Sequence, residues 1–523
     1  MKIGKCRRVA FSMATGSLLL IGFLLLLGAE PRPARASPGV LFIAPSGSGT
    51  ACTQASPCAL SAALSKAQDG DTLYLAQGTY TGTGAAVIST TKSITLYGGW
   101  NGAAGGPVVR DPVLYPSILD GERARRVVYI QGPLTITLDG LTIAHGAIFS
   151  ATAPPWHGAG LYARDASLTL RQTRFYSNVI DVYEVANSRA YGSGAMAEGG
   201  TVTVEGSSFQ SNGAWASKMS VGGGLALSGT VSATVVDTLF QNNDAWNASG
   251  LYFLGASGDR SPFTLRNSTF TGNGQGRSLG PAFGGYAGAV EVGKAKAYLE
   301  RNVFVDNYAG NDYGAMRVFA SELILASNLI SGNQSYRTPG LYIQNVAPFT
   351  LTNNMIVQNR ALDARLDYPA VWVEGSTGQF LHNTIARNTS RYGVQVIGAG
   401  MAVTLTNTIL VSHTVGITVG AGSTVTLRST LWGSGPWANG ADWGGNGVIL
   451  TGTVNIWGDP RFVNPAAGDY HLGLGSAAID RGLNAGVTTD IDGERRPFGA
   501  GYDIGADEFV PRTYLPLVAK KRP

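Results

Sequence analysis

Short runs of alternating apolar and polar residues, separated by Gly and Asn, recur along most of the chain in one pattern. In the stretch SPFTLRNSTFTGN, Phe263 and Leu265 alternate with polar residues, and an apolar anchor, Phe270, precedes Asn273 by three positions. No helical period of about 3.6 residues appears inside these units. Period-two alternation bounded by Gly and Asn is typical of strands and turns. The pattern predicts an all-β chain of short strands.

The unit recurs ten times, which predicts a solenoid whose coils stack in register. The spacing between anchors ranges from 34 residues, between Phe175 and Phe209, to 22 residues, between Ile409 and Leu431. A repeat of this size cannot bury its own apolar face and is stabilised by its neighbours. Stacked strands lie ~4.8 Å apart, so equivalent residues form columns along the stack. The predicted anchor column contains Phe175, Phe209, Phe240, Phe270, Phe304, Ile330, Ile356, Ile385, Ile409 and Leu431.

Three residues after each anchor stands a second column, mostly of asparagine. A corner Asn can hydrogen-bond its own turn and adopt a left-handed backbone, and stacked Asn amides can bond each other. Ser412 and Ser434 take this position after the last two anchors. The predicted structural ladder contains Asn178, Asn212, Asn243, Asn273, Asn307, Asn333, Asn359 and Asn388.

Over residues 41–459 these repeats resemble the right-handed parallel β-helix of pectate-lyase-like proteins, which carry an asparagine ladder. The resemblance implies a single-stranded right-handed parallel β-helix. It implies much less about activity, because one fold hosts many functions.

The first 36 residues have the composition of a secretory signal. Four basic residues within the first eight precede an apolar run at residues 18–27, and Ala34-Arg35-Ala36 offers a cleavage site before Ser37. An uncleaved membrane anchor is the alternative, but the run is shorter than the ~20 residues that span a bilayer. We therefore predict bacterial export to an extracellular or cell-surface location, with no transmembrane segment after cleavage. Cleavage removes six basic residues and one acidic residue, so the formal charge of +5 falls to zero and gives no support for nucleic-acid binding.

Cys52 and Cys58 remain after cleavage, and an isolated close pair in an exported chain predicts a disulfide. Residues 59–67 suit a short amphipathic helix, which would cover the first coil and protect its exposed edge. This segment also resembles the N-terminal cap of the β-helix family. No His pairs with another at metal-ligand spacing, so we predict no metal site in this part of the chain.

A second strand in each coil carries an outward column of unusual chemistry. Strand residues alternate faces, so the residue after each inward one points outward. The column runs from Tyr162 through Ala197 and Ala226 and ends in Gln395 and Thr418; its proposed substrate-binding members are Tyr252, Glu291, Arg317, Tyr342 and Trp372.

Two interpretations of this column stay open: a Glu291–Arg317 pair with aromatics that merely favour strands, or a binding surface. The adjoining loops add aromatic and charged residues, among them Trp156, His157, Tyr286, Asp312, Tyr313 and Tyr368. Binding residues concentrate on loops carried by rigid scaffolds, and aromatic faces with charged neighbours suit sugars. We therefore predict that an extended polysaccharide or cell-surface glycan binds along this face.

Catalysis is the alternative function. In the family, lyases use a basic residue to take a proton beside a uronate, often with calcium, and hydrolases use paired acids. The weak catalytic candidates here are Glu291 and Arg317, and no Asp-Asp pair occurs. A pectate-lyase-like lyase, or a hydrolase of acidic glycans, is therefore the second hypothesis. A structural adhesin or surface fibre without glycan activity is the third.

The composition changes after Trp457, where the ladder columns end. Asp490-Ile491-Asp492-Gly493, Arg496-Pro497 and the motif at residues 502–506 resemble the C-terminal choice-of-anchor Q segment that follows β-helices in exported bacterial proteins. We expect this segment to cap the open end of the solenoid. Asp490 and Asp492 are weak candidates for calcium, because the loop lacks a full ligand set; no other cofactor is expected.

The chain thus divides into five predicted segments. These are a signal peptide (1–36), an N-terminal cap with irregular first coils (37–132), regular coils (133–457), a C-terminal cap (458–510) and a basic tail (511–523).

Overall fold

The computed structural model describes residues 38–150, 154–256, 258, 260–275, 288–363, 367–452 and 454–511. The predicted signal segment and almost all of the basic tail lie outside these residues. Among the described residues, no helix has both the length and the apolar character to cross a membrane.

The described chain is a parallel β-helix, which confirms the predicted fold class. Each regular coil contributes two consecutive strands to one long sheet, called sheet 1, and a third strand to a second sheet, called sheet 2. Neighbouring coils pair in parallel and in register, as in Phe240↔Phe270↔Phe304. The one α-helix among the described residues, α1, spans Leu60–Lys66.

Sheet 1 has 27 strands among the described residues. They are Val40–Ile43, Thr72–Ala76, Gly78–Tyr80, Thr95–Trp100, Ser117–Asp120, Thr135–Asp139, Leu141–Ala144, Ser167–Arg171, Arg174–Tyr176, Thr201–Glu205, Ser208–Gln210, Ser232–Val236, Leu239–Gln241, Ser261–Arg266, Thr269–Thr271, Ala295–Glu300, Val303–Val305, Glu322–Ala326, Leu329–Ser331, Phe349–Thr352, Met355–Val357, Gly378–Leu381, Thr384–Ala386, Ala402–Val411, Thr424–Gly433, Val448–Thr451 and Asn455–Gly458.

Sheet 2 has 13 strands among the described residues. They are Ala86–Thr90, Arg126–Gln131, Leu161–Arg164, Ala195–Glu198, Leu225–Thr230, Leu251–Gly255, Val290–Gly293, Met316–Phe319, Leu341–Gln344, Pro369–Glu374, Tyr392–Ile397, Val415–Val419 and Ala441–Gly445.

Shorter strands form small sheets in the loops and near the C-terminus. They are Ala147–Phe149, Val179–Val182, Arg189–Tyr191, Gly213–Ala216, Met219–Val221, Tyr308–Ala309, Gln334–Ser335, Arg360–Ala361, Phe462–Asn464 and Asp469–Leu472.

The anchors stack inside the solenoid. The rings of Phe175, Phe209, Phe240, Phe270 and Phe304 lie 4.5–5.0 Å apart and nearly parallel. All five are fully buried in one core cluster. Stacked rings at this separation add an attraction of about 0.5–1.5 kcal/mol per pair beyond their buried area.

The corner asparagines form a continuous hydrogen-bonded ladder. Asn307 is typical: its Nδ2 donates to Phe270 O at 2.9 Å and to Asn333 Oδ1 at 2.9 Å. Its Oδ1 accepts from Asn273 N at 3.1 Å and Asn273 Nδ2 at 2.8 Å. The same links join every consecutive pair from Asn178 to Asn388. The amides satisfy corner backbone groups that the strands leave unpaired.

A second ladder runs along the bend between the two strands that each coil adds to sheet 1, two residues before the anchors. Asn302, Asn328, Asn354 and Asn383 are linked Nδ2 to Oδ1 at 2.9–3.0 Å. Ser268 N donates to Asn302 Oδ1, which extends this ladder towards the N-terminus. Side-chain amides therefore hold both this bend and the corner that follows the anchors.

The last two predicted anchors are wrong by one residue. Ile385 is stacked on Leu410 rather than Ile409, and Leu410 is stacked on Trp432 rather than Leu431. The error arises because Ile409 and Leu431 are also buried, on the outer side against the C-terminal segment. When both faces of a strand are buried, alternation no longer marks the inward residues.

The corner column shifts with the anchors. The predicted Ser412 is replaced by His413, whose Nε2 lies 3.3 Å from Asn388 Nδ2. Asn439 takes the next position instead of Ser434, because its Oδ1 accepts from His413 N at 3.0 Å and its Nδ2 donates to Leu410 O. Burial lowers the pKa of His413 to about 4, so the imidazole is neutral and can accept a hydrogen bond.

The N-terminal end of the solenoid is covered. Cys52 and Cys58 form the predicted disulfide. The first strand exchanges hydrogen bonds with this loop: Phe42 N donates to Cys52 O and Cys58 N donates to Phe42 O. Leu60 and Ala63 of α1 are buried in the same core cluster as the first strands.

The C-terminal segment was expected over the open end, but its contacts lie on the flank of the coils. Phe462, Tyr470 and Ile504 pack with outward-facing residues such as Met355 and Val411 in one cluster. Hydrogen bonds tie it to successive coils, at Asn353, Gln358, Thr384, Asn407 and Ser429. The reason is the apolar flank itself, which would be exposed if the segment lay over the end.

Replacing Asn307 with Ala should lower the free energy of unfolding by about 3 kcal/mol or more, since it leaves several buried corner groups without partners. Urea unfolding followed by circular dichroism measures the loss. Gln379→Ala, at an exposed amide on sheet 1 outside the ladder, is the control and should change little. Equal midpoints for the two variants would contradict a structural role for the ladder.

Candidate functional site

The five predicted binding residues lie on adjacent strands of sheet 2, in one column on its outer face. Tyr252 pairs in register with Glu291, Glu291 with Arg317, Arg317 with Tyr342, and Tyr342 with Trp372. Their inward neighbours, such as Leu251 and Val290, belong to the core cluster. The column therefore runs along the solenoid axis on the side away from the core.

Towards the N-terminus the column contains Met196 where the sequence led us to expect Ala197. Tyr162 pairs with Met196, and Met196 with Ala226, whereas Ala197 faces the core. The misplaced residue comes from GAMAE, where three apolar residues in a row hide the alternation. Tyr129, Tyr191 and Tyr252 pack against Tyr162, Met196 and Ala226 and continue the aromatic surface.

Glu291 and Arg317 form a buried ion pair at the centre of the column. Arg317 Nη1 lies 3.2 Å from Glu291 Oε1, and Arg317 Nη2 donates to Gln344 Oε1 at 2.7 Å. Glu291 is only 5% exposed. Burial raises the pKa of Glu291, and the charge and hydrogen bond of Arg317 oppose that shift. Glu291 Oε2 has no hydrogen-bond partner, which is costly for a buried carboxylate.

Aromatic rings surround Arg317. The guanidinium carbon lies 4.6 Å from the ring centre of Phe319 and 5.7 Å from that of Tyr313. The ring of Phe319 lies over Gly293, where a Cβ would come within 2.2–2.7 Å of ring atoms. A glycine is therefore required at this position of the neighbouring strand. Arginine over aromatic faces gains cation–π attraction, which is strongest where water is excluded.

Tyr342 is buried and locked from both sides. Its ring is stacked on Tyr313 at 4.4 Å and lies 5.0 Å from Trp372. Its hydroxyl makes a short hydrogen bond to Glu374 Oε2. Burial and the bond to Glu374 raise the pKa of Tyr342, so the phenol stays protonated and acts as the donor.

Loop residues complete the site above the strands. Asp312 is buried and pairs with Arg337, whose Nη1 lies 2.6 Å from Asp312 Oδ1. Burial raises the pKa of Asp312, and Arg337 opposes the shift. Tyr368 lies 5.7 Å from Trp372, and Arg337 lies over the Tyr368 ring at 5.4 Å. The predicted loop residue Tyr286 lies outside the described residues.

The structure thus separates the five predicted residues by accessibility. Glu291 and Tyr342 are buried, whereas Tyr252, Arg317 and Trp372 are half-buried. The Glu291–Arg317 pair and the aromatic surface, which the sequence left as alternatives, therefore occur together. The loops that lie over the strands were recognised in the sequence as aromatic-rich. The Gln344 and Phe319 contacts to Arg317 were not, because both residues belong to the second outward position of the strand.

His157 lies at the N-terminal end of the same face. Its ring meets Tyr191 edge-on at 4.8 Å and lies 5.8 Å from Tyr162. Tyr162 OH donates to Glu198 Oε2 at 2.8 Å. Burial lowers the pKa of His157 to about 4, so the imidazole is neutral. This end of the face is aromatic, and the guanidinium of Arg126 lies 5.4 Å from the ring centre of Tyr129 and 5.6 Å from that of Tyr162.

The weak calcium candidates lie in the C-terminal segment, away from sheet 2. Asp490 is buried, and its carboxylate accepts the backbone N–H groups of Asp492, Glu494 and Glu508. Asp492 Oδ2 lies 3.0 Å from His471 Nε2. Ligand atoms of His471, Asp492 and Asp507 lie within 4.8 Å of one another. The carboxylates are thus already engaged by N–H donors and by His471.

Comparison with known proteins identifies the fold. A family described as "Right handed beta helix region" matches residues 282–431. Together with the parallel strands before and after this range, the match shows that the chain is a right-handed parallel β-helix protein. No curated protein matches the chain.

Three solved structures are similar to this chain. A pectate lyase, Pel9A, shares 13% identity at a TM-score of 0.37, over 90% of this chain and 97% of that one. An alginate lyase of family PL6, AlyGC, shares 12% identity at a TM-score of 0.31, over 81% and 78%. The A-module of the Azotobacter vinelandii mannuronan C-5 epimerase AlgE6 shares 14% identity at a TM-score of 0.29, over 78% and 95%. At these values the similarities do not bear on activity.

Replacing Arg317 with Met should lower the free energy of unfolding by about 3 kcal/mol near pH 8, since it leaves a buried carboxylate without its cation. Because burial raises the folded-state pKa of Glu291, the loss should shrink as the pH falls and the carboxyl takes up a proton. Adding Glu291→Gln should recover most of the loss.

Urea unfolding of the single and double variants measures both effects. Arg171→Met is the matched control, since Arg171 pairs with Glu205 at 3.2 Å on sheet 1 but both side chains are about half exposed. Its loss should be under about 1 kcal/mol. A double variant no more stable than Arg317→Met would contradict the burial of an ionised Glu291.

His471 predicts a pH dependence in the C-terminal segment. The hydrogen bond to Asp492, with that to Asp469, raises the pKa of His471 from 6.5 to about 9 despite burial. The stabilisation is therefore complete below the unfolded-state pKa and is lost as the pH rises through about 9. In the parent, the thermal unfolding midpoint should fall as the pH rises through this range, and His471→Gln should remove most of that fall. If the midpoint of the variant depended on pH as steeply as that of the parent, His471 and its carboxylate partners would be excluded as the cause.

Proposed function

We propose that this protein is exported and binds an extended polysaccharide along the outer face of sheet 2. The observation that carries the proposal is the in-register column from Tyr252 to Trp372, in which aromatic and ion-paired residues occupy five consecutive coils. Four strand spacings of ~4.8 Å give this column a length of about 19 Å. A surface of this length along a straight axis suits a polymer better than a small molecule.

The chemistry of the column fits sugars. Tyr252 and Trp372 are half-buried, so part of each side chain remains accessible for contact with the apolar faces of a sugar ring. Arg317, between them, is also half-buried and offers charge-assisted hydrogen bonds to hydroxyl or carboxylate groups.

Rigidity supports binding at this face. Tyr342 is fixed by its ring stacking and by Glu374, and Arg317 by Glu291 and Gln344. Side chains that are already ordered lose little entropy when a ligand arrives, which raises affinity without new contacts. The solenoid itself positions the column, since the strands beneath it belong to the core.

Catalysis on acidic glycans, as a lyase or hydrolase, is the second candidate. One observation favours it: burial raises the pKa of Glu291 beside Arg317 and Tyr252, and such shifts concentrate at active sites. Structural ion pairs perturb pKa values as well, so binding remains the first proposal. Formation of unsaturated uronate from pectin, alginate or glycosaminoglycans would establish lyase action.

The double variant Tyr252→Ala/Trp372→Ala should weaken glycan binding at least tenfold, because it removes the two accessible rings. Affinity electrophoresis against a panel of neutral and acidic polysaccharides, followed by calorimetry on the best ligand, measures the change. Tyr176→Ala removes a tyrosine that is 37% exposed on sheet 1 and should leave binding unchanged. Unchanged binding by the double variant, or self-association without any glycan binding, would overturn the proposal.

A further inference from the structure

The C-terminal end of the solenoid is an open edge. Its last coil consists of Ala441–Gly445, Val448–Thr451 and Asn455–Gly458, each of which pairs with a strand of the preceding coil. Among the described residues, no strand pairs with their other side. We call this surface, residues 441–452 and 454–458, the terminal coil.

Inward-facing residues of the terminal coil are uncovered. Trp443 stacks on Ile417 and Trp457 on Trp432, yet they are 38% and 57% exposed, whereas Ile417 and Trp432 are fully buried. Thr451 stacks on the buried Leu427 and is exposed. The hydrophobic core of the solenoid therefore reaches solvent at this end.

Backbone groups are uncovered as well. Val448 N donates to Ser423 O and Gly452 N donates to Leu427 O, both in the preceding coil. Since successive residues of a strand turn their N–H groups alternately, Ile449 and Thr451 present theirs to the open side. Such a row of unpaired groups is a template for another strand.

The usual protection of such an edge is missing from the terminal coil. Natural edges carry charges, proline or a covering segment. Residues 441–458 contain one ionisable residue, Asp442, and no proline. The carboxylate of Asp442 accepts from Trp457 Nε1 at 2.7 Å and from Asn439 Nδ2 at 3.1 Å. Two terminal coils brought together would meet little charge repulsion.

We propose that the terminal coil is an interface for a second copy of this chain, joined end to end by a two-fold axis. The opposite end offers no equivalent open edge at its first strand, because Val40–Ile43 exchanges hydrogen bonds with the disulfide loop, and Leu60 and Ala63 of α1 fill the core there. This disfavours a head-to-tail fibre, in which the terminal coil of one copy would pair with the first coil of the next. The contact that remains joins the terminal coils of two copies. Such an isologous contact closes at a dimer.

The size of the surface is close to that of a stable dimer interface. The terminal coil offers 17 described residues per copy. A standard stable interface uses about 20–30 residues a side. The contact would bury Trp443 and Trp457, and tryptophan is among the residues most enriched at the centres of interfaces.

The test is the mass of the purified protein in solution, by light scattering and by sedimentation at micromolar concentrations. We expect twice the chain mass for the parent. Thr451→Lys places a charge on the inward side of the open end, where it is hydrated in a monomer but faces its own copy in a dimer; this variant should be monomeric. Thr426→Lys makes the same change one coil earlier, on the outer face, and should remain dimeric.

Amide hydrogen exchange supplies a second readout that does not depend on the variant folding normally. The Ile449 and Thr451 amides should be protected in the parent at high concentration and lose protection on dilution. A parent that is monomeric throughout, a mass that grows beyond two copies, or a dimer that survives Thr451→Lys with its fold intact would each overturn the proposal.

Discussion

The hydrogen-bonded stacking of identical corners is the constraint on which the rest of this structure depends. Strands supply backbone partners only along their length, so each corner leaves N–H and C=O groups that must be satisfied in a buried position. The amide of Asn307 does this for its own coil and for both neighbours at once. Because every link joins equivalent residues, one slipped coil would break the ladder on both sides. Register is thus enforced coil by coil.

Register at the corners fixes register everywhere else. Once Asn273 lies over Asn307, Phe270 must lie over Phe304, and on the third strand Tyr252 must lie over Glu291. The same register that stacks the phenylalanine rings in the core therefore aligns the outward residues of sheet 2 in one column. An outer column has no packing reason to contain a buried Glu–Arg pair between tyrosines. Loops that contain Tyr313 and Arg337 lie over this pair. The outer face of sheet 2 is therefore formed by strand and loop side chains together.

Most of the fold could be predicted from the sequence because the same pattern of anchor and asparagine recurs in every regular coil. Eight asparagines in step are hard to misread, and they fixed the coil boundaries from Asn178 to Asn388. The assignment of inward and outward residues failed where a strand has apolar residues on both of its faces. Ile409 was mistaken for an anchor because the C-terminal segment buries it from outside, and Ala197 for an outward residue because Met196 is also apolar. His413 continues the ladder with a different side chain, so composition alone did not reveal it.

The candidate site was harder to predict than the fold. The alternation of inward and outward residues placed Tyr252, Glu291, Arg317, Tyr342 and Trp372 on one face. It does not indicate which of these side chains are covered by loops. Whether a column is accessible depends on loops of different lengths, whose paths are set by contacts such as Asp312–Arg337 and Tyr313–Tyr342. These contacts join residues that have no fixed spacing in the sequence.

The position of the C-terminal segment follows from a competition between two apolar surfaces. The flank presents Met355, Val357, Ile409, Val411 and Leu431 across several coils, whereas the end presents one coil. A segment that folds back along the flank buries the larger surface and hydrogen-bonds to several coils, at the expense of the end. That choice leaves a solenoid with one covered end and one open end, and a particle with a single open end can pair but cannot polymerise. Because the first strand of the solenoid is covered, an open C-terminal edge with a single ionisable residue is compatible with a discrete assembly.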